Sequence, residues 1–356
     1  MLPAMFTRPA RAAAFASLLL LSLLSCEGET ARLPQSTAAD REVLIPEPVP
    51  EAAPDPVAPD PAAPGPVAPD PAAPDPGFTG IIGTWNLKAA PYPIEASRVE
   101  QLARGIELID ADVLVLTEIA THERIYDLIR ELNRDGTRYY FRMPGLGGEP
   151  SEQHELGVAF LCRSGVEISE AGFVPGTELG DPTEYRKAIT ARIRVGEFDF
   201  VMVGVHLKSG GTKSGIETRG LQCTRIAEYL ESALMGDERD CIVTGDFNMI
   251  PPTEEEDRDL ENFKRLNARI DLRFLDEPFS TQGTHIGYQR KTKTYAIHNH
   301  LDGLAVSKVA TQEYEPGSAE IIPLFEKMEM TLAEYSRGVS DHLPLVARFD
   351  LSQDDD

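Results

Sequence analysis

The sequence is short of cysteine, of basic charge and of long apolar runs, and each shortage excludes something. Of 356 residues only Cys26, Cys162, Cys223 and Cys241 are cysteines. Cys26 directly follows an N-terminal signal, and the other three cannot all pair. Cys162 and Cys241 sit in apolar, strand-like runs, where a free cysteine behaves as a small buried hydrophobe. A disulfide framework and thiol chemistry are therefore not expected. No Cys/His cluster of zinc spacing occurs. The longest N-terminal apolar stretch, Ala12 to Leu24, is too short for a membrane span. Lys and Arg number 34 against 58 Asp and Glu, a net charge of −24. Without the residues before Phe78 and the last three aspartates, 45 acidic residues still face 30 basic ones. Such a surface does not wrap a nucleic-acid backbone broadly, although a local basic groove is compatible with it.

What is present begins with a signal. Met1 to Ser25 carries Arg8 and Arg11 ahead of its apolar stretch, the layout of a secretory peptide. It ends Leu23-Leu24-Ser25-Cys26, which resembles the lipobox of bacterial lipoproteins. That resemblance implies cleavage before Cys26, lipidation of Cys26 and anchoring in the bacterial cell envelope, with inner and outer membrane left open. The alternative is an ordinary signal with an incidental cysteine, but no small-x-small site stands nearby. Pro46 to Pro76 holds 13 of the 28 prolines and a near-repeat, PDPVAPDPAA then PGPVAPDPAA. Proline removes amide donors and fixes φ, so no core can form there. The segment reads as a polyproline-II spacer at about 3.1 Å per residue, on the order of 90 Å when fully extended. The expected organisation is a signal over 1–25, a linker over 26–77, one catalytic head over 78–351 and an acidic tail over 352–356. The chain is read as a monomer.

Within the head, four apolar runs of strand length each stop at a polar residue. IIGTWN ends on Asn86, DVLVLTE on Glu118, FVMVGVH on His206, and CIVTGDFN on Asp246 and Asn248. Runs of this kind suit strands buried on both faces or in a sandwich core. Set side by side on one sheet, their ends would gather an amide, acids and a base on one rim.

The rest of the head alternates. Helical spacing runs through Val99, Leu102, Ile106 and Ile109, and again from Thr121 to Leu132. Strands are expected over Arg138 to Arg142, Glu155 to Arg163, Val166 to Ser169, Arg186 to Val195 and Glu197 to Lys208. Glu217 to Met235 reads as a helix with Leu221, Ile226, Tyr229, Leu230 and Leu234 on its apolar face. Glu254 to Asp257 is expected to open a surface helix. Ser280 to Lys293 reads as an exposed loop, Thr294 to Ser307 as one strand, and a last strand runs to Phe349. This order predicts an α/β (α+β) fold, an αββα sandwich.

The motifs TWN, LTE, GVHLKSG, GDFN, HLD and SDHLPL follow one another from Thr84 to Leu345. In that order they resemble the endonuclease/exonuclease/phosphatase superfamily, the DNase I-like fold. The resemblance implies Glu118 as the principal carboxylate ligand of a divalent cation, with Asn86 and Asp341 as further oxygen ligands, directly or through water. Hard oxygens with positions left for water and phosphate suit Mg²⁺, with Mn²⁺ as a substitute. A rival ligand set is His298-Asn-His300-Leu-Asp302, if its alternate residues share one strand face.

Phosphodiester hydrolysis needs an activated water, stabilised equatorial oxygens and a proton or metal for the leaving oxygen. By resemblance, His342 is the base, oriented by Asp302, and His206 is the acid or charge stabiliser. Asp246 and Asn248 orient the water and bind phosphoryl oxygens. Arg186 and Lys208 approach the substrate phosphate; Lys213 and Arg219 are further phosphate contacts to weigh against plain surface charge. Two departures stand out: Thr117 precedes Glu118 where the family often has Gln, and Lys88 stands where abasic-site endonucleases tend to carry an acid. The expected activity is an exported, membrane-tethered phosphodiesterase with nucleic acid favoured over lipid as substrate. A phospholipid, sphingomyelin or phosphoinositide hydrolase is the alternative enzyme, and a non-catalytic surface binding protein the alternative outside enzymology. The polar composition of Met143 to His154 and Ser280 to Lys293 speaks against membrane-inserting hairpins.

Overall fold

The computed structural model describes residues 79–88, 95–119, 122–136, 138–144, 157–179, 186–235, 238–251, 257–275, 283–308 and 311–354. The signal, Cys26, the proline-rich segment and Glu254 to Glu256 lie outside the described residues. In chain order the elements are β1 (Thr79–Asn86), α1 (Ala96–Ile109), β2 (Val113–Ile119), α2 (His122–Leu132), β3 (Tyr139–Arg142), β4 (Gly157–Arg163), β5 (Glu167–Phe173), β6 (Ile189–Val195), β7 (Phe198–His206), α3 (Lys213–Ala233), β8 (Cys241–Asp246), α4 (Leu260–Leu266), β9 (Leu272–Phe274), β10 (Ile286–Gln289), β11 (Thr294–Ile297), β12 (Asp302–Ser307), β13 (Glu320–Ile321), α5 (Leu324–Lys327), α6 (Leu332–Gly338) and β14 (Leu345–Asp350).

Two six-stranded sheets form, in the orders β13-β14-β1-β2-β4-β3 and β5-β6-β7-β8-β12-β9. Each contains one parallel pair, β1 with β2 and β7 with β8. A parallel pair needs a crossover, and α1 and α3 supply it. The four polar-ended strands thus divide two and two between the sheets, not along one sheet rim.

Alternation along β7 shows the layering. Phe198, Phe200 and Met202 pack with Ile82, Leu114 and Phe349 of the other sheet. Val201, Val203 and Val205 pack with Cys223, Ile226 and Leu230 of α3. Successive side chains point to opposite faces, so the second sheet is covered on both sides. Each such side chain contributes roughly 1.5–3 kcal/mol by leaving water. Cys162, Cys223 and Cys241 are buried free thiols, and burial pushes each up to about 12.

Several expectations need correcting. Leu221 is 52% exposed; it lies two residues before Cys223, about 200° round the helix from it. The expected loop over Ser280 to Lys293 contains β10, and the expected strand over Thr294 to Ser307 breaks. β11 pairs with β10 in a separate two-stranded sheet while β12 pairs with β8, so the chain changes sheets between Ile297 and Asp302. Finally, α6 was not read at all. Its Thr331 Oγ1 accepts from Glu334 N at 3.2 Å while Thr331 N donates to Glu334 Oε2 at 2.9 Å, a capping box whose Thr-x-x-Glu spelling is legible in the sequence.

Candidate active site

β7, β8 and β12 are neighbours, and their register sets His206 opposite Asp246 and Asp246 opposite Asp302. Directly paired residues share a face. Met202, Ile242 and Leu304, an even number of residues away on the same strands, face the seam between the sheets. His206, Asp246 and Asp302 therefore form a row pointing across the seam. Gly245 permits the close packing of β8 on β7 here: its φ is +142° and a Cβ would lie 2.0 Å from the Val205 oxygen.

From the facing sheet, β1 delivers Asn86 and β2 delivers Glu118. The ladder between β2 and β4 shifts register between Thr117 and Ile119, and Glu118 at the bulge has φ 63°. Lys88 and Asn248 are also left-handed, with φ 51° each. For residues other than glycine this conformation costs on the order of 1–3 kcal/mol, and such strain clusters at functional sites. Asn86 ties the halves together: its Nδ2 donates to Glu118 Oε1 at 3.1 Å and to Asp246 Oδ2 at 3.0 Å. Its amide oxygen accepts from Lys88 N at 2.8 Å.

His342 precedes β14 and reaches over the seam, its Nδ1 lying 2.6 Å from Asp302 Oδ2. Its carbonyl accepts from Trp85 Nε1 at 3.1 Å and from the Tyr335 hydroxyl at 3.0 Å. Its N–H donates to Ser340 Oγ at 3.0 Å, and that hydroxyl donates to the Asn86 carbonyl at 2.6 Å. β1, α6, β12 and the loop at Ser340 thus hold this residue, with Asp302 on its ring.

The two histidines differ in charge. Burial lowers the His342 value, but the charge and hydrogen bond of Asp302, with Asp246 and Asp341 beyond, outweigh it and hold the imidazole at about 10. His206 is pushed well below 6.5 by burial, then by Arg186 and His342. Its Nε2 lies 3.5 Å from Asp246 Oδ2 and 3.7 Å from Glu118 Oε1, while its buried Nδ1 has no hydrogen-bond partner. Asp246 is raised to about 7, by burial first and Asp302 second. His342 is thus protonated and His206 neutral in the substrate-free site.

The endonuclease/exonuclease/phosphatase family model matches residues 83–307, a span that includes Asn86, Glu118, His206, Asp246 and Asp302. The chain belongs to that family. Its members are phosphoesterases, typically dependent on a divalent metal. Among solved structures, TDP2 from Caenorhabditis elegans is similar at TM-score 0.54 and 14% identity, over 77% of this chain and 74% of that one. An endonuclease/exonuclease/phosphatase family protein from Bacteroides thetaiotaomicron is similar at TM-score 0.53 and 16% identity, over 76% and 97%. The 3′ phosphatase NExo from Neisseria, bound to a product DNA hairpin, is similar at TM-score 0.54 and 15% identity, over 76% and 99%. No curated protein matches the sequence.

For this endonuclease/exonuclease/phosphatase protein, the donor set fits a hard cation. Glu118, His206 and Asp246 place one ligand atom each within 4.8 Å of one another, as do Asp246, Asp302 and His342. The buried Asp302 Oδ1 has no hydrogen-bond partner. A divalent cation held there would neutralise these crowded carboxylates. Asn86 presents N–H groups to two of them, so as it stands it orients carboxylates rather than offering its oxygen. Asp341 stands outside both triads, 3.9 Å from Lys88 Nζ.

Arg186 is half-buried at the site, where desolvation lowers its value against the pull of Asp246 and Glu118, and its Nη1 donates to the Leu207 carbonyl at 3.2 Å. Asn248 Nδ2 donates to the same carbonyl at 3.1 Å, and Asn248 N to Asp246 Oδ1 at 2.9 Å. Lys208 follows β7, its N–H on Gln222 Oε1 at 3.0 Å. Lys213 is exposed at the start of α3. Arg219 is corrected: it is fully buried, paired with Asp259 at 2.8 Å, and donates to the Lys208 and Gly210 carbonyls at 2.9 and 2.7 Å. It shapes the loop and cannot meet substrate. The His-x-His-x-Asp set is not assembled on one strand face, since His298 and His300 precede β12.

Two residues near the site escaped the sequence reading. His285 forms an isolated bridge with His342, their rings 5.2 Å apart; only the missed hairpin could have pointed to it. Arg98 of α1 donates to the Leu87, Lys88 and Val339 carbonyls, clamping the loop after β1 to the segment before β14. No motif marks it.

Proposed function

We propose that this protein is a divalent-metal-dependent phosphodiesterase that cuts nucleic acid outside the cytoplasm while held to the cell envelope by a lipid on Cys26. One observation carries the catalytic part: two triads of ligating or acid–base groups, one with Glu118 and His206 and one with Asp302 and His342, share Asp246. Mg²⁺, or Mn²⁺ in its place, when bound supplies positive charge to the phosphoryl oxygens. Glu118 would be the principal residue to hold it, with Asp341 as a further oxygen ligand.

The chain's own groups supply the rest. Asp246, raised to about 7, takes the proton of the attacking water, which Asn248 helps to orient. The charged His342, held through Nδ1 by Asp302, gives its Nε2 proton to the leaving oxygen as the P–O bond breaks, and Arg186 adds a cation beside the phosphoryl oxygens. Neutral His206 lies within reach of Asp246 and Glu118 and completes the hydrogen bonding around the phosphate. This distribution moves His342 away from the expected role of base and gives that role to Asp246, because the charge and hydrogen bond of Asp302 keep the proton on His342 against the effect of burial.

Nucleic acid is favoured as substrate because the described loops carry no apolar hairpin suited to lipid, and because the same fold holds a DNA hairpin in the Neisseria 3′ phosphatase. The test is a hydrolysis panel of DNA, RNA, sphingomyelin, a phosphomonoester and a chromogenic diester, with and without chelator. Metal-dependent cleavage of DNA or RNA is expected. Cleavage of sphingomyelin or of monoesters alone would overturn the substrate assignment.

A further inference from the structure

Beside the site stands the β10–β11 hairpin, outside both large sheets. Its base is bonded to the catalytic segment from two sides: Ile286 N donates to the Asp341 carbonyl and Leu343 N to the Thr284 carbonyl, each at 2.7 Å. Ile286 is buried, and Tyr295 and Ile297 pack against the core. Arg337 of α6 lies over the Tyr295 ring at 5.9 Å. The root is therefore rigidly attached next to His342.

The outer half differs in chemistry. Residues 283–301 contain no Asp or Glu, in a chain of net charge −24. The four-residue turn between the strands carries Arg290, Lys291 and Lys293, all exposed, and closes with Lys293 in the left-handed region and its N–H on the Gln289 carbonyl at 2.8 Å. Tyr288 pairs opposite Tyr295 with ring centroids 5.3 Å apart, and remains 52% exposed. It is the only exposed large hydrophobic on the hairpin among the described residues. A lone exposed aromatic beneath a cluster of cations, in an otherwise acidic protein, matches a polyanion with flat rings.

We propose that this hairpin is a substrate arm that grips a single nucleic-acid strand, a base stacking on Tyr288 and phosphates meeting the turn cations. The proposal rests on the nuclease reading above and specifies where the strand runs. Stacking on an aromatic suits every base, and a basic groove tracks the backbone without sequence preference. Five residue steps lead from His285 to Arg290; at about 3.4 Å each they span roughly 17 Å, about five phosphates of a stacked strand. A membrane surface is disfavoured because no aliphatic side chain accompanies Tyr288 at the exposed end.

The experiment compares the full Mg²⁺-loaded protein with two variants, Tyr288→Leu and the triple Arg290→Ser/Lys291→Ser/Lys293→Ser. Each is assayed on a series of single-stranded oligonucleotides and on bis(p-nitrophenyl) phosphate, which is too small to reach the arm and reports folding and chemistry. Both variants should keep wild-type turnover of the small diester. On long oligonucleotides each should raise KM about tenfold or more, and the triple variant should lower the slope of log affinity against log salt by about 2. The defect should fade for substrates shorter than about five nucleotides. Oligonucleotide cleavage by wild type with unchanged KM in both variants would overturn the arm alone. Wild type that hydrolyses the small diester but no oligonucleotide would overturn the nuclease reading and the arm with it. Loss of small-diester turnover in both variants would make the hairpin a brace for His342, and loss confined to anionic vesicles would make it a membrane contact; either also overturns the arm.

Discussion

Nδ1 of His342 lies 2.6 Å from Oδ2 of Asp302, although Asp302 opens a strand of one sheet and His342 precedes a strand of the other. Both groups are buried, so the imidazolium gains far more from this carboxylate than it would in water.

The pair makes the first prediction. In metal-free protein Asp302→Asn removes the charge that does most to hold His342 at about 10, and burial should then bring the imidazole's value down against the remaining pull of Asp246 and Asp341. The raised value also links to stability. The wild-type advantage is full below about pH 6.5 and is lost as pH rises through about 10. NMR titration of the ring, with urea unfolding at pH 6 and pH 10.5, measures both. Turnover should fall about 10²-fold. A His342 that titrates near 6.5 in wild type would refute the pairing.

Both histidines should matter to turnover. His206→Ala and His342→Ala should each cost ~10²-fold to 10⁴-fold, with circular dichroism unchanged. Their double variant should lose much less than the product, since groups acting on one phosphorus are not additive. His298→Ala and His300→Ala should be mild. Equal damage from all four would show that rate loss here reports folding.

Metal removal is the third test. Chelation should abolish hydrolysis, and Mg²⁺ or Mn²⁺ should restore it. Glu118→Gln should raise the metal concentration needed for half activity tenfold or more, while thermal unfolding without metal shifts little or upward, because one negative charge beside Asp246 is lost. Full activity in excess chelator would end the metal assignment.

Arg219 and Asp259 are both completely buried and 2.8 Å apart. Arg219→Ala takes the buried cation from a carboxylate whose other oxygen Arg258 Nε still meets at 3.2 Å, and should cost about 3 kcal/mol in urea unfolding. It should also loosen the Lys208 and Gly210 carbonyls, lowering turnover through the loop after His206. A stability loss under about 1 kcal/mol would show water already reaches the pair.

Tethering is tested separately. Cys26→Ser should move the protein from membrane to soluble fractions without changing turnover of a small diester. Wild type that is soluble and unlipidated would rule out the lipid anchor.

Much of this is legible in the sequence alone. Asn86, His206 and Asp246 are the last residues of their strands, as the apolar runs foretold. The period of two does the rest: once Met202 and Ile242 face the seam, His206 and Asp246 must face it too. Six motifs in one order sufficed to recognise the family. Other features were not legible, because backbone hydrogen bonds carry no side-chain identity and the partners are remote in sequence. Nothing local says that the four polar-ended strands divide between two sheets, or that the chain leaves one sheet at Ile297 and enters another at Asp302. Arg219 looks like any surface cation until α4 brings Asp259 against it from 40 residues away. The residue types and their strand ends were thus set by the sequence. Which imidazole holds the proton was decided only by the tertiary structure, because that depends on burial and on a carboxylate delivered from the opposite sheet.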